Sequence, residues 1–135
     1  MKLLAIDYGA KRIGLALGEL ENNIVVPYSF IENKGRDFVL AQLKNICEIE
    51  SVRKIVIGIP VHRDMESKQV RSIEDFIKFL KKNLAIDVVV YDESFTSKIA
   101  GQDERYKNLL KDRKKGWRDM LAATEILRSY IEKNN

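Results

Sequence analysis

Cysteine is nearly missing: Cys47 stands alone, so no internal disulfide can staple the chain, and its place in an apolar helical pattern marks it as a small core residue. Two prolines and seven glycines in 135 residues are too few for flexible linkers or low-complexity segments. With 45% hydrophobic and 33% charged residues, the composition is that of an ordered globular chain. Histidine occurs once, at His62. Without Cys or His at ligand spacing it is a poor zinc signal, and it is expected at the surface or against a phosphate. No stretch approaches the roughly 20 apolar residues of a membrane span, and the start lacks the basic-then-apolar pattern of a signal peptide. A cytoplasmic protein without membrane contact is expected. No Gly-x-x-x-x-Gly-Lys-Ser/Thr loop or Gly-x-Gly-x-x-Gly turn is present. The length suits one domain, 1–135, and is too short for two lobes closing on a nucleotide.

What is abundant is charge, and it is unevenly spread. The formal net charge is +4. Between Lys98 and Arg118 eight basic residues, Lys114, Lys115 and Arg118 among them, face three acidic ones, which leaves about −1 for the rest. Such a concentrated positive field suits gripping phosphates, although a charge run is also compatible with a solvated face.

Hydrophobic periodicity lays out an α/β chain. The apolar run Leu3-Leu4-Ala5-Ile6 reads as a strand covered on both faces and stops at Asp7. Gly9, without a Cβ, can take φ > 0 and let the backbone approach a ligand in the turn that follows, and Arg12 to Leu17 forms a second strand. Ile24 to Ile31 is a third, with Pro27 favouring an edge or a bulge. Short turns join these three into an antiparallel meander. Val39, Leu40, Leu43, Ile46 and Cys47 recur at helical spacing over about Asp37 to Glu50. Lys54 to Ile59 is a buried strand, placed parallel by its crossover. A second helix carries Val70, Ile73, Ile77 and Leu80 on its core face, and Ile86 to Tyr91 is a fifth strand ending in Asp92-Glu93. Ser94 or Thr96 is a candidate N-cap for a further helix. A last helix, Trp117 to about Lys133, is expected to bury Met120, Ala123, Leu127 and Tyr130.

Acidic residues end two of these strands and begin that last helix. Asp7 is either a turn residue bonding its own backbone or a carboxylate presented by a rigid strand. Asp92 and Glu93 repeat the arrangement, and because strand neighbours point to opposite faces only one of them can share a pocket with Asp7. Asp119 sits where the helix dipole favours an acid, while Ala122 and Ala123 on the same side permit close approach to the sheet. The acids would then converge at the C-terminal edge of the parallel strands, where open α/β sheets bind ligands. Crowded carboxylates call for a cation, and hard oxygen ligands favour Mg²⁺ or Mn²⁺. A pair of such ions hydrolyses phosphodiesters.

The blocks Leu4 to Gly14, Ile57-Gly58-Ile59-Pro60, Asp92 to Thr96, and Asp119 with Ala122 and Ala123 together resemble the YqgF (RuvX) family of Holliday junction resolvase-like proteins. The resemblance covers essentially the whole chain. It implies a ribonuclease H-like fold with a five-stranded mixed sheet and helices on both faces. It also implies nuclease work on nucleic acid, either trimming the 5′ end of the small-subunit ribosomal RNA precursor or resolving branched DNA. Carried over, the acidic, metal-binding set falls on Asp7, Glu93 and Asp119, choosing Glu93 over Asp92. Lys11 and Arg12 match the family's basic pair and are expected on substrate phosphates, with His62, Lys114, Lys115 and Arg118. The chain departs from the family pattern at Ala10, His62 and Ser94. The Asp-Tyr-Gly turn is also similar to that of sugar kinases and actin-like ATPases, whose second lobe has no room here. A binding module without catalysis is the rival reading. The expected state is monomer or homodimer, the latter if a two-fold junction is the substrate.

Overall fold

The computed structural model describes residues 1–59, 67–92 and 116–134. Among these, five strands form one sheet in the order β3-β2-β1-β4-β5: β1 Lys2–Asp7, β2 Arg12–Glu19, β3 Ile24–Glu32, β4 Val52–Ile59 and β5 Asp87–Asp92. β1, β2 and β3 are antiparallel neighbours, and β4 and β5 run parallel to β1. The helices are α1 Arg36–Glu50, α2 Ser67–Asn83 and α3 Trp117–Lys133. Expected and observed ends differ by one or two residues, the usual scatter of frayed ends.

Period-two alternation sorts the side chains into two cores. Leu4 and Ile6 of β1, with Ile13, Leu15 and Leu17 of β2, pack under α1 and α2 against Val39, Leu43, Ile73, Phe76, Ile77 and Leu80. Leu3, Ala5 and Ala16 turn to the other face and meet Ala123, Ile126, Leu127 and Ile131 of α3. Helices thus cover both faces, and β1 is buried from Leu3 to Ile6. Of the residues expected to anchor α3, Ala123 and Leu127 are buried while Met120 and Tyr130 are half-buried. Val70 of α2 is likewise half-buried. Leu121, Ile126 and Ile131 complete the apolar stripe of α3.

The face of β2 beneath α3 is built from small residues, Gly14, Ala16 and Gly18. A Cβ on Gly18 would lie 2.7 Å from the Ile24 carbonyl oxygen of β3 and 2.9 Å from Leu127 Cδ2, so a side chain there would press on the main chain of the neighbouring strand and on the end of a leucine of α3. At the sheet edge, Ser29 pairs with Leu15 and Pro27 with Ala16, which leaves Tyr28 as the extra residue of a bulge. Its hydroxyl donates to Glu50 Oε2 at 3.1 Å, and Lys2 Nζ reaches the other oxygen at 3.4 Å. Cys47 is half-buried against the α1–α2 core, and burial pushes its thiol up to about 11, which suits an inert packing residue. Among the described residues no helix is long and apolar enough to cross a membrane.

Candidate active site

β1 delivers Asp7 to the edge where the parallel strands end. It is the last residue of the strand, half-buried, and its odd position places its side chain on the α3 side with Leu3 and Ala5. The turn after it is tight. A Cβ on Gly9 would lie 2.4 Å from the Arg12 carbonyl oxygen, so glycine is required there for close backbone approach. Of the two freedoms glycine offers there, the turn uses the close approach and not the positive φ, which among the described glycines only Gly35 and Gly116 adopt. The turn is held from two sides. Tyr8 stacks on Phe76 of α2 at 4.4 Å between ring centroids. Asn33 Nδ2 donates to the Gly9 carbonyl at 2.9 Å and the Asn33 amide to that of Lys11 at 2.9 Å.

α3 delivers Asp119, and the row Asp7, Gly14, Phe30 decides where that helix begins. These three are register partners across β1, β2 and β3. Gly116, the N-cap of α3, has φ +92° and lies so close over Phe30 that a Cβ would be 2.4 Å from its ring. One turn on, the main chain of Asp119 rests on Gly14, whose Cβ would be 1.9 Å from the Asp119 carbonyl oxygen and 2.9 Å from Asp119 Cβ. Register partners carry their Cβ atoms about 4.5–5.5 Å apart on one face, and with the 2.9 Å step from position 14 to Asp119 Cβ the Cβ atoms of Asp7 and Asp119 are at most about 8.4 Å apart. Two aspartate side chains sharing one cation would be long enough to span that gap.

Arg12 pairs with the second of these acids. It opens β2 on the same face as Gly14, and its Nε donates to Asp119 Oδ2 at 3.0 Å. The side chains are 28% and 26% exposed. A single-donor pair so open to water is worth about 0–1 kcal/mol, enough to orient the carboxylate but not to lock it. Lys11 and Arg118 are exposed.

The structure therefore brings together Asp7, Arg12 and Asp119, with Lys11 and Arg118 at the margin. Glu93, His62, Lys114, Lys115 and most of the basic segment lie outside the described residues, as do the cap candidates Ser94 and Thr96. Among the described residues, no group of three or more His, Cys, Asp or Glu side chains comes together in metal-binding fashion. Sequence reasoning missed Gly14 and Asn33. A lone glycine inside a strand pattern is the signal for close backbone approach, and it was available at Gly14. Asn33 had no such signal, because its partners Gly9 and Lys11 are brought to it only by the β1–β2–β3 meander.

The model of the RuvX family, described as Holliday junction resolvase, matches residues 1–133. A protein of Maridesulfovibrio salexigens named "Putative pre-16S rRNA nuclease" is 35% identical over 133 residues, covering 97% of this chain and 98% of its own. One of the same name from Mycoplasmoides gallisepticum is 36% identical, covering 98% and 96%. Among solved structures, RuvC of Thermus thermophilus in complex with a Holliday junction substrate superposes with a TM-score of 0.64 at 10% identity, over 99% of this chain and 95% of that one. The resolvase of fowlpox virus, with its junction DNA, gives 0.59 at 14% identity over 99% of each. At these identities the two structures share the fold, a ribonuclease H-like mixed sheet.

Proposed function

Because this chain belongs to the RuvX family of nucleases, we propose that it is a divalent-cation-dependent phosphodiester hydrolase that trims the 5′ end of the small-subunit ribosomal RNA precursor in the cytoplasm, with 1–135 as one nuclease domain. The observation that carries this reading is the seating of Asp119 on Gly14, directly across the register from Asp7. Two acids distant in sequence are held at one strand edge by packing that tolerates no side chain at position 14. Arg12 offsets the charge of Asp119, and two carboxylates brought to one edge are the donor type that a shared cation takes.

The donor set suits the cation. Carboxylate oxygens, with no Cys or His beside them among the described residues, match Mg²⁺ or Mn²⁺. Asp7 and Asp119 would hold it, with Glu93 as the third ligand. Supporting Glu93 is the side of the sheet taken by the odd residues Val89 and Tyr91 of β5, which face α3 as Asp7 does. Such cations, when bound, supply activation of a water and stabilisation of the departing oxygen. The protein's own share is to fix the carboxylates on a rigid strand and helix, and to set the N-terminus of α3, with its partial positive charge, beside the polyanion. Lys11, Arg12, His62, Lys114, Lys115 and Arg118 are proposed as phosphate contacts, which position the strand without reading its bases.

Junction resolution is the second reading, favoured by the fold shared with the two resolvases that hold junction DNA. It calls for a homodimer with two-fold-related sites, whereas end trimming can be done by a monomer. The test is cleavage of a 5′-extended ribosomal RNA precursor and of a four-way DNA junction, with Mg²⁺ or EDTA, by wild type and Asp7→Asn. Asp7→Asn should lose roughly 100-fold or more, since several kcal/mol of transition-state stabilisation disappears, and EDTA should silence wild type. Equal cleavage by both proteins would remove Asp7 from the site. Binding without cleavage by either would favour a non-catalytic module.

A further inference from the structure

Resting on the cation-dependent reading above, we propose that Arg12 is a displaceable counter-ion: it neutralises Asp119 while no divalent cation is bound, yields the carboxylate when one loads, and turns its guanidinium to a phosphate of the nucleic-acid strand.

Three observations lead there. First, Arg12 touches Asp119 through Nε alone, at 3.0 Å on Oδ2. A guanidinium and a carboxylate locked together would use two parallel bonds. Second, both side chains are about one-quarter exposed, so water and salt screen the pair, and a doubly charged cation outcompetes a single charge for the same oxygen. Third, Arg12 is anchored at the mouth of the site. Its main chain is held in β2 by pairing with Glu32, while the adjacent Lys11 is exposed. Only the side chain needs to move, from Asp119 outward, to meet a phosphate that approaches the cation. Cation loading and substrate capture are thereby coupled: the cation frees the arginine, and the freed arginine grips the strand that the cation is to act on.

A fixed arginine that merely buttressed Asp119 would have the opposite effect on cation affinity, because its removal would let the carboxylate wander. The sign of the change therefore discriminates. Mn²⁺ binding to the substrate-free protein is measured by electron paramagnetic resonance of the free ion for wild type, Arg12→Gln and Asp7→Asn. Arg12→Gln should bind Mn²⁺ about fivefold more tightly, the upper end of what a partly exposed pair is worth, while its affinity for single-stranded RNA falls. Unchanged or weaker Mn²⁺ binding by Arg12→Gln, with binding still abolished by Asp7→Asn, would overturn the counter-ion role and leave the cation site standing. No Mn²⁺ binding by wild type and Arg12→Gln alike would overturn the cation site and the counter-ion role together. A measurement on unaltered protein guards against a misfolded variant. In ¹⁵N-arginine-labelled wild type, Mg²⁺ should speed exchange of the Arg12 Nε–H proton with water. An exchange rate indifferent to saturating Mg²⁺ would contradict the displacement.

Discussion

A missing side chain is the most consequential residue-level feature of the site. At position 14 even one methyl group would meet the carbonyl of Asp119 at 1.9 Å, and because that neighbour is main chain, α3 itself would have to move. Gly14→Ala is expected to cost about 1–3 kcal/mol as overpacking and to displace Asp119 from Asp7. Thermal unfolding and Mg²⁺-dependent cleavage should therefore fall together, and a variant with wild-type melting and cleavage would show that the contact is slack. Asn33 acts at the same scale from a distance. Its side chain closes on the Gly9 carbonyl and accepts the Gly35 amide at 3.3 Å, so the loop bearing Asp7, Lys11 and Arg12 is tied to the start of α1.

At the level of elements, α3 is the part whose position decides whether there is a site. Its grip on the sheet comes from Ala123, Ile126, Leu127 and Ile131 against Leu3, Ala5 and Ala16, a core smaller than the one beneath α1 and α2. Truncating a fully buried leucine in either layer should cost about 2–5 kcal/mol. Leu127→Ala and Leu43→Ala should be similarly destabilised, yet only Leu127→Ala should lose cleavage per folded molecule, because α3, unlike α1, carries an acid of the proposed site. Denaturant melts paired with activity normalised to the folded fraction distinguish the two. Equal specific activity would mean that Asp119 is held by Gly14 and Arg12 without help from the helix body. The expected boundaries of α3, Trp117 to Lys133, agree with those observed, since an apolar stripe at helical spacing begins right after a glycine that the stereochemistry of its N-cap demands.

For the molecule as a whole, the charge distribution is the feature that bears on partners. A net +4 with a surplus of five in the segment 98–118 is the basis for proposing that stretch as the contact with a polyanion. Replacing Lys114 and Lys115 together by alanine should lower affinity alike for unrelated single-stranded RNAs and reduce the slope of log affinity against log salt by about 1.4, at roughly 0.7 per phosphate contact. Filter-binding titrations from low to moderate salt measure it, and an unchanged slope would assign those lysines to the solvated surface. A four-way junction offered in the same titration shows whether branched DNA is held through the same contacts.

Among the described residues, local pattern alone determined the strands, the helices and their order, because burial on one face or two writes a period of two or of three to four into the chain: Leu3 to Ile6 reads as a covered strand with no partner in view. It also marked Asp7 and Asp119 as acids at element ends. Only the tertiary structure decided that these two are neighbours, since the contact runs through the register of Asp7 with Gly14 and the absence of a side chain at Gly14, neither of which is a property of any single stretch. Tertiary packing decided, too, that Arg12 faces Asp119. A salt bridge between the first residue of a strand and the first turn of a distant helix exists only after the sheet has formed and the helix has settled on its smallest residues.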